Sequence, residues 1–525
     1  MAIKVAMIGA GSIGFTRRLM GDILAVPELA DTTFAFTDLS ERNLDMVTQL
    51  CRRDVAANRL PAIIEATTDR RAAIAGSDYI VCMIRQGGLE AFQLDIDLPL
   101  KYGVDQCVGD TLCAGGLMYA QRTIPALLDF CRDIREVAKP GALFLNYANP
   151  MAMNTWACNK YGGVTTLGLC HGVQAAHWQI ARAVEQWAQQ TGLIAPDVRV
   201  HRKEIDVVFA GINHQTWCVQ AEWRGIDLIP RLHDLLSAVD DFRRTEKVRL
   251  DVLKRFGYYS TESNGHLSEY LPWYRKRPAD IPQWIDTSDW IHGETGGYLR
   301  VITEARHWFE ADFPNWLAAE SPSFGSANRS EEHGAYIIEA LETGRLYRGH
   351  FNIVNQGHLT NLPNGCVVEI PGYVDRTGIH MPVVGALPLA CAATCAASIR
   401  VQEMGMEAAV QGDVNLLKQA LLHDPLVGAV CNPEEVWQMA DELLVAQAPW
   451  LPQYGDEPAA AARRLGEAER NGTRVKLRDT PGAVRRPTQT VEEMTRRRDE
   501  ARAISSTADT GKLTRSLASS GEQHP

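Results

Sequence analysis

Positive charge is in short supply, long apolar runs are missing, and the cysteines, though numerous, form no CxxC pairs. Lys and Arg total 53 against 64 Asp and Glu, a formal charge of −11 over 525 residues. Such a surface repels phosphate backbones and anionic lipid, so neither nucleic acid nor a membrane is an expected partner. The apolar opening MAIKVAMIGAGSIGF is far shorter than the roughly 20 residues that span a bilayer. It also lacks a basic leader and a small-residue cleavage site, so secretion is not expected either. The 12 cysteines contain no CxxC spacing, which argues against a zinc ribbon or a disulfide framework and for reduced thiols in cytoplasm. No internal repeat is visible. What remains, 46% apolar and 22% charged, is an ordinary globular composition in a chain too long for one core, so two domains acting on a small soluble substrate are expected.

What is present alternates. IKVAMI is a short apolar strand that runs directly into GAGSIGFTRRLMGDIL, where Ile13, Leu19, Met20, Ile23 and Leu24 recur at helical spacing. TTFAFTD ends a second strand at Asp38, and a helix capped by Ser40 follows. IEATTD, SDYIVCMI, GALFLNYANP and VTTLGLC supply further strands, with the helices RAAIAG, RTIPALLDFCRDIREVAK and MNTWACNKY between them. This alternation predicts an α/β fold whose parallel sheet occupies residues 1–174, with helices on both faces and ligands at the carboxyl ends of the strands. From residue 175 helices such as AAHWQIARAVEQWAQQ alternate with strands such as EIDVVFAGIN, and the tract from Tyr258 to Asn361 is rich in Trp, Tyr, His and Gly. Residues 175–460 are therefore expected to form a C-terminal mixed α+β domain for substrate, metal and oligomer contacts. Residues 463–525 hold fourteen Lys or Arg against nine Asp or Glu, so 461–525 reads as a basic tail, partly helical and partly disordered.

Gly9, Gly11 and Gly14 form GxGxxG in the setting that gives the pattern meaning: after a strand, opening a helix, with Asp38 ending the next strand. Gly9 permits the tight turn, Gly11 removes a Cβ that would strike a pyrophosphate, and Gly14 lets helix and strand approach. Gly9, Gly11, Ser12, Ile13 and Gly14 are the expected contacts of a dinucleotide in a Rossmann-type domain. Asp38 would accept from the ribose hydroxyls and repel a 2′-phosphate, which favours NAD over NADP. Two other strands end in unusual residues: VTTLGLC stops at Cys170-His171, and EIDVVFAGIN at Asn213-His214. A thiolate with an imidazole suits a divalent transition metal, so Cys170 and His214 are expected to converge on one cation.

Together, IGAGSIGFTRRL, FTDLSERNL, GVDQCVGDTLCAGGLMYAQRTIP, NYANPMAMNTWA, CHGV, GINHQTW and GYYSTESNGHLSEYLPWYRK resemble glycoside hydrolase family 4, the NAD- and metal-dependent glycosidases related in fold to lactate and malate dehydrogenases. The resemblance runs from residue 3 to about 276 and, less distinctly, to about 450. It implies a mechanism outside the usual two-carboxylate scheme. NAD⁺ takes hydride from C3 of the sugar, the resulting ketone acidifies the C2 proton, a base removes it, the glycosidic bond breaks by elimination, water adds, and the hydride returns. The metal, manganese by resemblance, is held by the Cys of CHGV and the His of GINH, here Cys170 and His214. Asn149 of NYANP corresponds to a sugar-binding asparagine, and Asp110 and Arg122 to polar residues facing cofactor or sugar. The base is a tyrosine, either Tyr270 or Tyr274, with Tyr270 preferred by the Tyr-Leu pair. Homodimers or homotetramers are the family's usual assemblies.

Two departures bear on substrate and pocket. Phosphoglycosidase members carry Asp or Asn after the cysteine, whereas His171 stands here, as in members acting on unphosphorylated sugars. His171, with an ordinary pKa of about 6.5, is the candidate acid for the leaving group. Cys113 stands where the family usually has glycine or a similarly small residue. The expected activity is hydrolysis of an unphosphorylated α-hexoside, an α-galactoside first, with α-glucosidase and α-galacturonidase as alternatives. Arg275, Lys276 and Arg300 leave a uronate carboxylate open, and Arg300 is carried as a substrate-binding candidate. A plain NAD-dependent sugar dehydrogenase shares Gly9 to Asp38 but needs no eliminating base. A non-catalytic sugar or NAD sensor would not need Cys170, His214 and Tyr270.

Overall fold

The structure, a computed structural model, describes residues 2–478 and 482–507. Six short strands, β1 (Lys4–Ile8), β2 (Thr33–Thr37), β3 (Ile63–Thr67), β4 (Tyr79–Cys82), β5 (Leu143–Asn146) and β6 (Thr166–Gly168), run parallel in the order β3-β2-β1-β4-β5-β6. This is the α/β arrangement expected of a dinucleotide-binding domain. The inner strands β4 (YIVC) and β5 (LFLN) are buried throughout, as strands covered on both faces must be. The edge strand β3 (IIEAT) is mostly open to water, and its Glu65 pairs with Lys4.

The sheet does not stop at β6. A second set of strands, β7 (Ile205–Ile212), β8 (Gln215–Trp223), β9 (Ile226–Asp227), β10 (Tyr259–Ser260), β11 (Tyr347–Val354), β12 (Val367–Asp375) and β13 (Gly378–His380), extends it in the order β6-β11-β12-β7-β8-β10, with β9 on β8 and β13 on β12. The pairings from β6 onward are antiparallel, so the parallel and mixed parts of the chain are two ends of one 13-stranded sheet. The seam is tight. A Cβ on Gly168 would meet Met151 Sδ, Thr155 Oγ1 at 2.6 Å and Asn352 Cβ at 2.9 Å, so glycine is what lets β6 and β11 join beneath the helix Met151–Ala157. The apolar packing also crosses the seam, since Met7, Phe36 and Leu145 share a cluster with Phe351 and Val374.

The longest helix, Cys113–Val137, is buried over its first twelve residues and packs against Leu389–Gln411. It opens at Cys113 with φ +60°, a backbone conformation for which glycine is the ordinary residue. That explains a small residue at this position. Here Cys113 donates its N–H to Asp424 (2.8 Å) and its thiol to the Glu269 carbonyl (3.1 Å).

Within the stretch 461–525, expected to be partly helical and partly disordered, the helix Glu457–Arg470 is followed by chain that stays on the body. Arg478 reaches Glu435 (2.9 Å), Ala483 N–H donates to Asp105 (2.8 Å), Thr295 N–H to the Val484 carbonyl (2.6 Å) and Arg486 to Glu294 (2.8 Å). A second helix, Val491–Thr507, then lies on Gly297–Ala318. Residues 508–525 lie outside the described residues. Among the described residues no helix is long and apolar enough to cross a membrane.

Candidate active site

The Gly-rich turn is built by backbone. Gly9 has φ +86°, and a Cβ there would press on the Met83 carbonyl carbon at 3.0 Å. The N–H groups of Gly9 and Ala10 donate to the Thr37 carbonyl (2.9 and 3.0 Å), tying the turn to β2. Gly11 donates its N–H to Asp38 Oδ2 at 2.8 Å, and an added Cβ would meet that same oxygen at 2.8 Å. Ser12 caps the helix Ile13–Leu24 without a side-chain bond of its own, while Ile13 and Gly14 form its half-buried first turn. A bare turn at a helix N-terminus, with a carboxylate at the next strand end, fits a pyrophosphate and a ribose.

Cys170 lies two residues beyond β6, and His214 is the second residue of the two-residue turn joining β7 to β8. The two strand ends converge: Cys170, His214 and Glu262 each offer a ligating atom within 4.8 Å of the others, and Asp110, His214 and His266 do the same. His214 has φ +61°, a left-handed conformation that the two-residue β7–β8 turn requires and histidine adopts more readily than most side chains. Thr111 Oγ1 lies 2.6 Å from His214 Nδ1, and Glu262 Oε2 lies 3.6 Å from Nε2. Burial works against charge on His214, but Glu262 and Cys170 outweigh it and hold the ring well above its usual pKa. Burial raises the Cys170 thiol against the pull of His214. For Glu262 the burial penalty loses to His214 and His266, which keep its carboxyl below the usual range. Thiolate, imidazole and carboxylate at the N-terminus of the helix Gly172–Gln190 make a donor set suited to a divalent transition metal.

A second wall comes from the loop before Cys113. The N–H groups of Cys107 (2.6 Å), Val108 (3.1 Å) and Gly109 (3.0 Å) all donate to the buried Glu269 carboxyl, which burial pushes up to about 7 against the pull of Arg275 and those donors. This clamp aims the next residue. The Tyr270 ring lies parallel to His214, centroids 6.3 Å apart, and 5.8 Å from His266. Its hydroxyl is buried with no hydrogen-bond partner among the described residues. Burial, with Asp110 and Glu269, holds that phenol well above its usual 10. Asp110 closes the group, accepting from Asn149 Nδ2 (2.7 Å) and Thr111 Oγ1 (3.0 Å).

Not every candidate from the sequence reaches this place. The Tyr274 hydroxyl donates to Asp251 (2.8 Å) and its ring packs on Trp284, so it is corrected to a structural residue. Arg122 is corrected likewise. Its enclosed guanidinium holds Asp95 at 2.9 and 2.6 Å, with Gln86 and Gln447 on the remaining sides, and so faces neither cofactor nor sugar. Arg300 spends its donors on Glu294 (2.6 and 2.9 Å) and Glu304 (2.8 Å), which removes it from the substrate candidates. His171 follows Cys170, half-exposed, with Nε2 2.6 Å from Glu332. Partial loss of solvent around its ring opposes charge, but the adjacent Glu332 carboxylate prevails and raises its pKa.

The sequence reading missed Glu262 and His266. Their signal was legible: Glu262, His266 and Tyr270 recur every four residues around the helix Asn264–Tyr270, capped by Ser263, so they share a face. Thr111 and Arg85 carried no such signal. Arg85, just past β4, lies over the rings of Phe92 (4.3 Å), Tyr119 (4.9 Å) and Tyr298 (5.2 Å), with Nη1 buried and without a partner.

The model of family 4 glycosyl hydrolases matches residues 4–186, and that of the family 4 glycosyl hydrolase C-terminal domain matches 209–427. An α-galactosidase of Rhizobium meliloti (strain 1021) is 56% identical over 504 residues, 95% of this chain and 99% of its own. Among solved structures, the putative glucosidase lplD of Bacillus subtilis superposes with TM-score 0.72 at 27% identity, over 84% of this chain and all of its own. The 6-phospho-β-glucosidase of Thermotoga maritima, solved with manganese, NAD⁺ and glucose-6-phosphate, gives 0.66 at 21% identity, over 85% of this chain and 99% of its own, and shares the fold. The glycine turn, the paired strand ends and both family matches lead to one conclusion: the chain belongs to glycosyl hydrolase family 4.

Proposed function

We propose that the protein is an α-galactosidase that cleaves an unphosphorylated α-galactoside by oxidation-assisted elimination and addition. The observation that carries this reading is the meeting of Cys170 and His214 with the unpartnered Tyr270 hydroxyl at the carboxyl end of the sheet that bears the glycine turn. When bound, NAD⁺ at Gly9 to Gly14 and Asp38, and a divalent cation, manganese as in the Thermotoga relative, at Cys170 and His214, supply reversible oxidation at C3 and a Lewis acid that makes the C2 hydrogen acidic.

The chain's own residues do the rest. Tyr270 Oη, as the phenolate, is the acceptor for the C2 proton: the Glu269 clamp fixes its ring, and a cation at Cys170 and His214 would offset the burial that raises its pKa in the metal-free chain. Asn149 and Asp110, joined at 2.7 Å, orient sugar hydroxyls. His171, whose pKa is raised by Glu332, gives its proton to the departing oxygen, and its partial exposure allows water to restore it.

The substrate class follows from which cations are free. Arg275 is committed to Asp105 and Arg300 to Glu294, so neither serves a uronate carboxylate, and the strong identity is to an α-galactosidase. A galacturonide is the second reading, favoured only by the partnerless Nη1 of Arg85. We place the enzyme in the cytoplasm, compatible with its 12 free cysteines, as a homodimer or homotetramer without a nucleic-acid or membrane partner.

Release of nitrophenol from p-nitrophenyl α-galactoside in the presence of NAD⁺, Mn²⁺ and a thiol, beside the α-glucoside and α-galacturonide, tests the substrate. In D₂O the product sugar should carry deuterium at C2. Clean protium there, or steady accumulation of NADH from free sugar, would sink the mechanism.

A further inference from the structure

Two overlapping groups of ligand-type side chains share His214, and their hydrogen bonds distinguish them. Thr111 Oγ1 donates its proton to Asp110 Oδ1 (3.0 Å), so at 2.6 Å from His214 Nδ1 it is left to accept. His214 must therefore carry a proton on Nδ1, which makes Nε2 the ligating nitrogen. Nε2 faces Glu262 Oε2 at 3.6 Å and belongs with Cys170.

The alternative group is more heavily committed: each oxygen of Asp110 takes a hydrogen bond, from Asn149 and from Thr111, and His266 offers only Nε2, its Nδ1 being engaged by Ser263 Oγ at 2.8 Å. Glu262 is different: Oε1 takes the Ser263 N–H (3.2 Å), while Oε2 is turned toward His214.

Gly172 supplies an independent observation. A Cβ at this glycine, the third residue of CHGV, would lie 2.8 Å from Glu262 Oε2. The start of the helix Gly172–Gln190 is thus stripped of a side chain where the carboxylate passes beneath it toward Cys170.

We propose that Glu262 is the third protein ligand of the cation, completing a Cys170 Sγ, His214 Nε2, Glu262 Oε2 set, with Thr111 as the positioning residue that selects Nε2. The proposal rests on the metal site put forward for Cys170 and His214 and goes beyond it in ligand number and identity. A thiolate, a carboxylate and a neutral imidazole balance a divalent charge, and three protein ligands leave the remaining positions open, as catalytic metal sites require.

Metal-free protein should be titrated with Mn²⁺, free ion being followed by its paramagnetic resonance signal, and with Co²⁺, followed by absorption. NAD⁺ binding and the melting curve report folding. Wild type should take up the ion and show a near-ultraviolet thiolate-to-cobalt band. E262Q should raise the dissociation constant for Mn²⁺ about tenfold or more, keep the thiolate band and change the visible cobalt bands. G172A, which leaves Glu262 chemically intact but displaces it, should weaken Mn²⁺ binding in the same direction. Folded E262Q and G172A that bind Mn²⁺ as tightly as wild type, with C170S defective, would overturn Glu262 as a ligand and leave the Cys170–His214 site standing. Failure of wild type to bind either ion, or an unchanged cobalt spectrum in C170S, would remove that site and this proposal with it.

Discussion

The cofactor turn and the metal wall sit on the same sheet and are made in opposite ways. At the turn, function is assigned to missing side chains: Gly9 and Gly11 matter because a Cβ would meet Met83 or Asp38. All of it comes from one continuous stretch and the strand that follows. At the metal wall, function is assigned to side chains that are present, drawn from the ends of β5 and β6, the turn between β7 and β8, the loop before Cys113 and the helix Asn264–Tyr270. Backbone logic is local and tolerates little substitution, whereas a convergent site depends on every segment that carries a member.

The contrast can be tested at several points. The largest effect is expected at the wall. Tyr270→Phe should lower kcat by roughly 10²–10⁴-fold with NAD⁺ affinity unchanged by fluorescence titration. Tyr274→Phe, which loses only the bond to Asp251, should stay near wild type. Equal losses in the two variants would return the base to ambiguity.

Next comes the turn. Gly11→Ala drives a methyl into Asp38 and should weaken NAD⁺ roughly tenfold or more, leaving Mn²⁺ binding in place. A parallel loss of both ligands would mean that the two regions are not separable.

A smaller effect is expected where the wall is braced. In Glu269→Gln the amide must point its NH₂ at a backbone N–H, because both carboxyl oxygens accept from the loop. The cost should be about 1–3 kcal/mol, read as a fall of a few degrees in Tm together with reduced kcat.

The smallest effect is a pH slope. Burial pushes Glu369 up to about 7, against the bond from Thr216 and the nearby His214. Its folded pKa lies above the unfolded value of about 4.3, so the native chain binds the extra proton. That contribution is full at low pH and lost as pH rises through about 7. Metal-free protein should lose stability progressively between the unfolded value of about 4.3 and about pH 7, and Glu369→Gln should flatten the slope in urea titrations at a series of pH values.

What could be read ahead of the structure follows the same division. The glycine turn and Asp38 were legible because strand, turn and helix follow one another. Cys170 and His214 stood out because two apolar strands end abruptly in potential metal ligands, and the fold does bring them together. Arg122 and Arg300 misled because a charge in a motif does not disclose its partner, here Asp95 and Glu294. Tyr270 and Tyr274 differ only in where the hydroxyl goes, toward the wall or to Asp251, which is a property of packing. Glu262 and His266 were within reach through their four-residue spacing. Thr111 was not, since its interest lies in two contacts made by one hydroxyl, to Asp110 and to His214 Nδ1, which only the fold brings together.

The chain beyond Arg470 bears on how the molecule is finished. Ala483 and Val484 reach Asp105 and Thr295, and the Asp105 carboxylate also grips Arg275, five residues after Tyr270. A chain cut after Arg470 would carry every chemical group proposed for the site on a frame without this fastening.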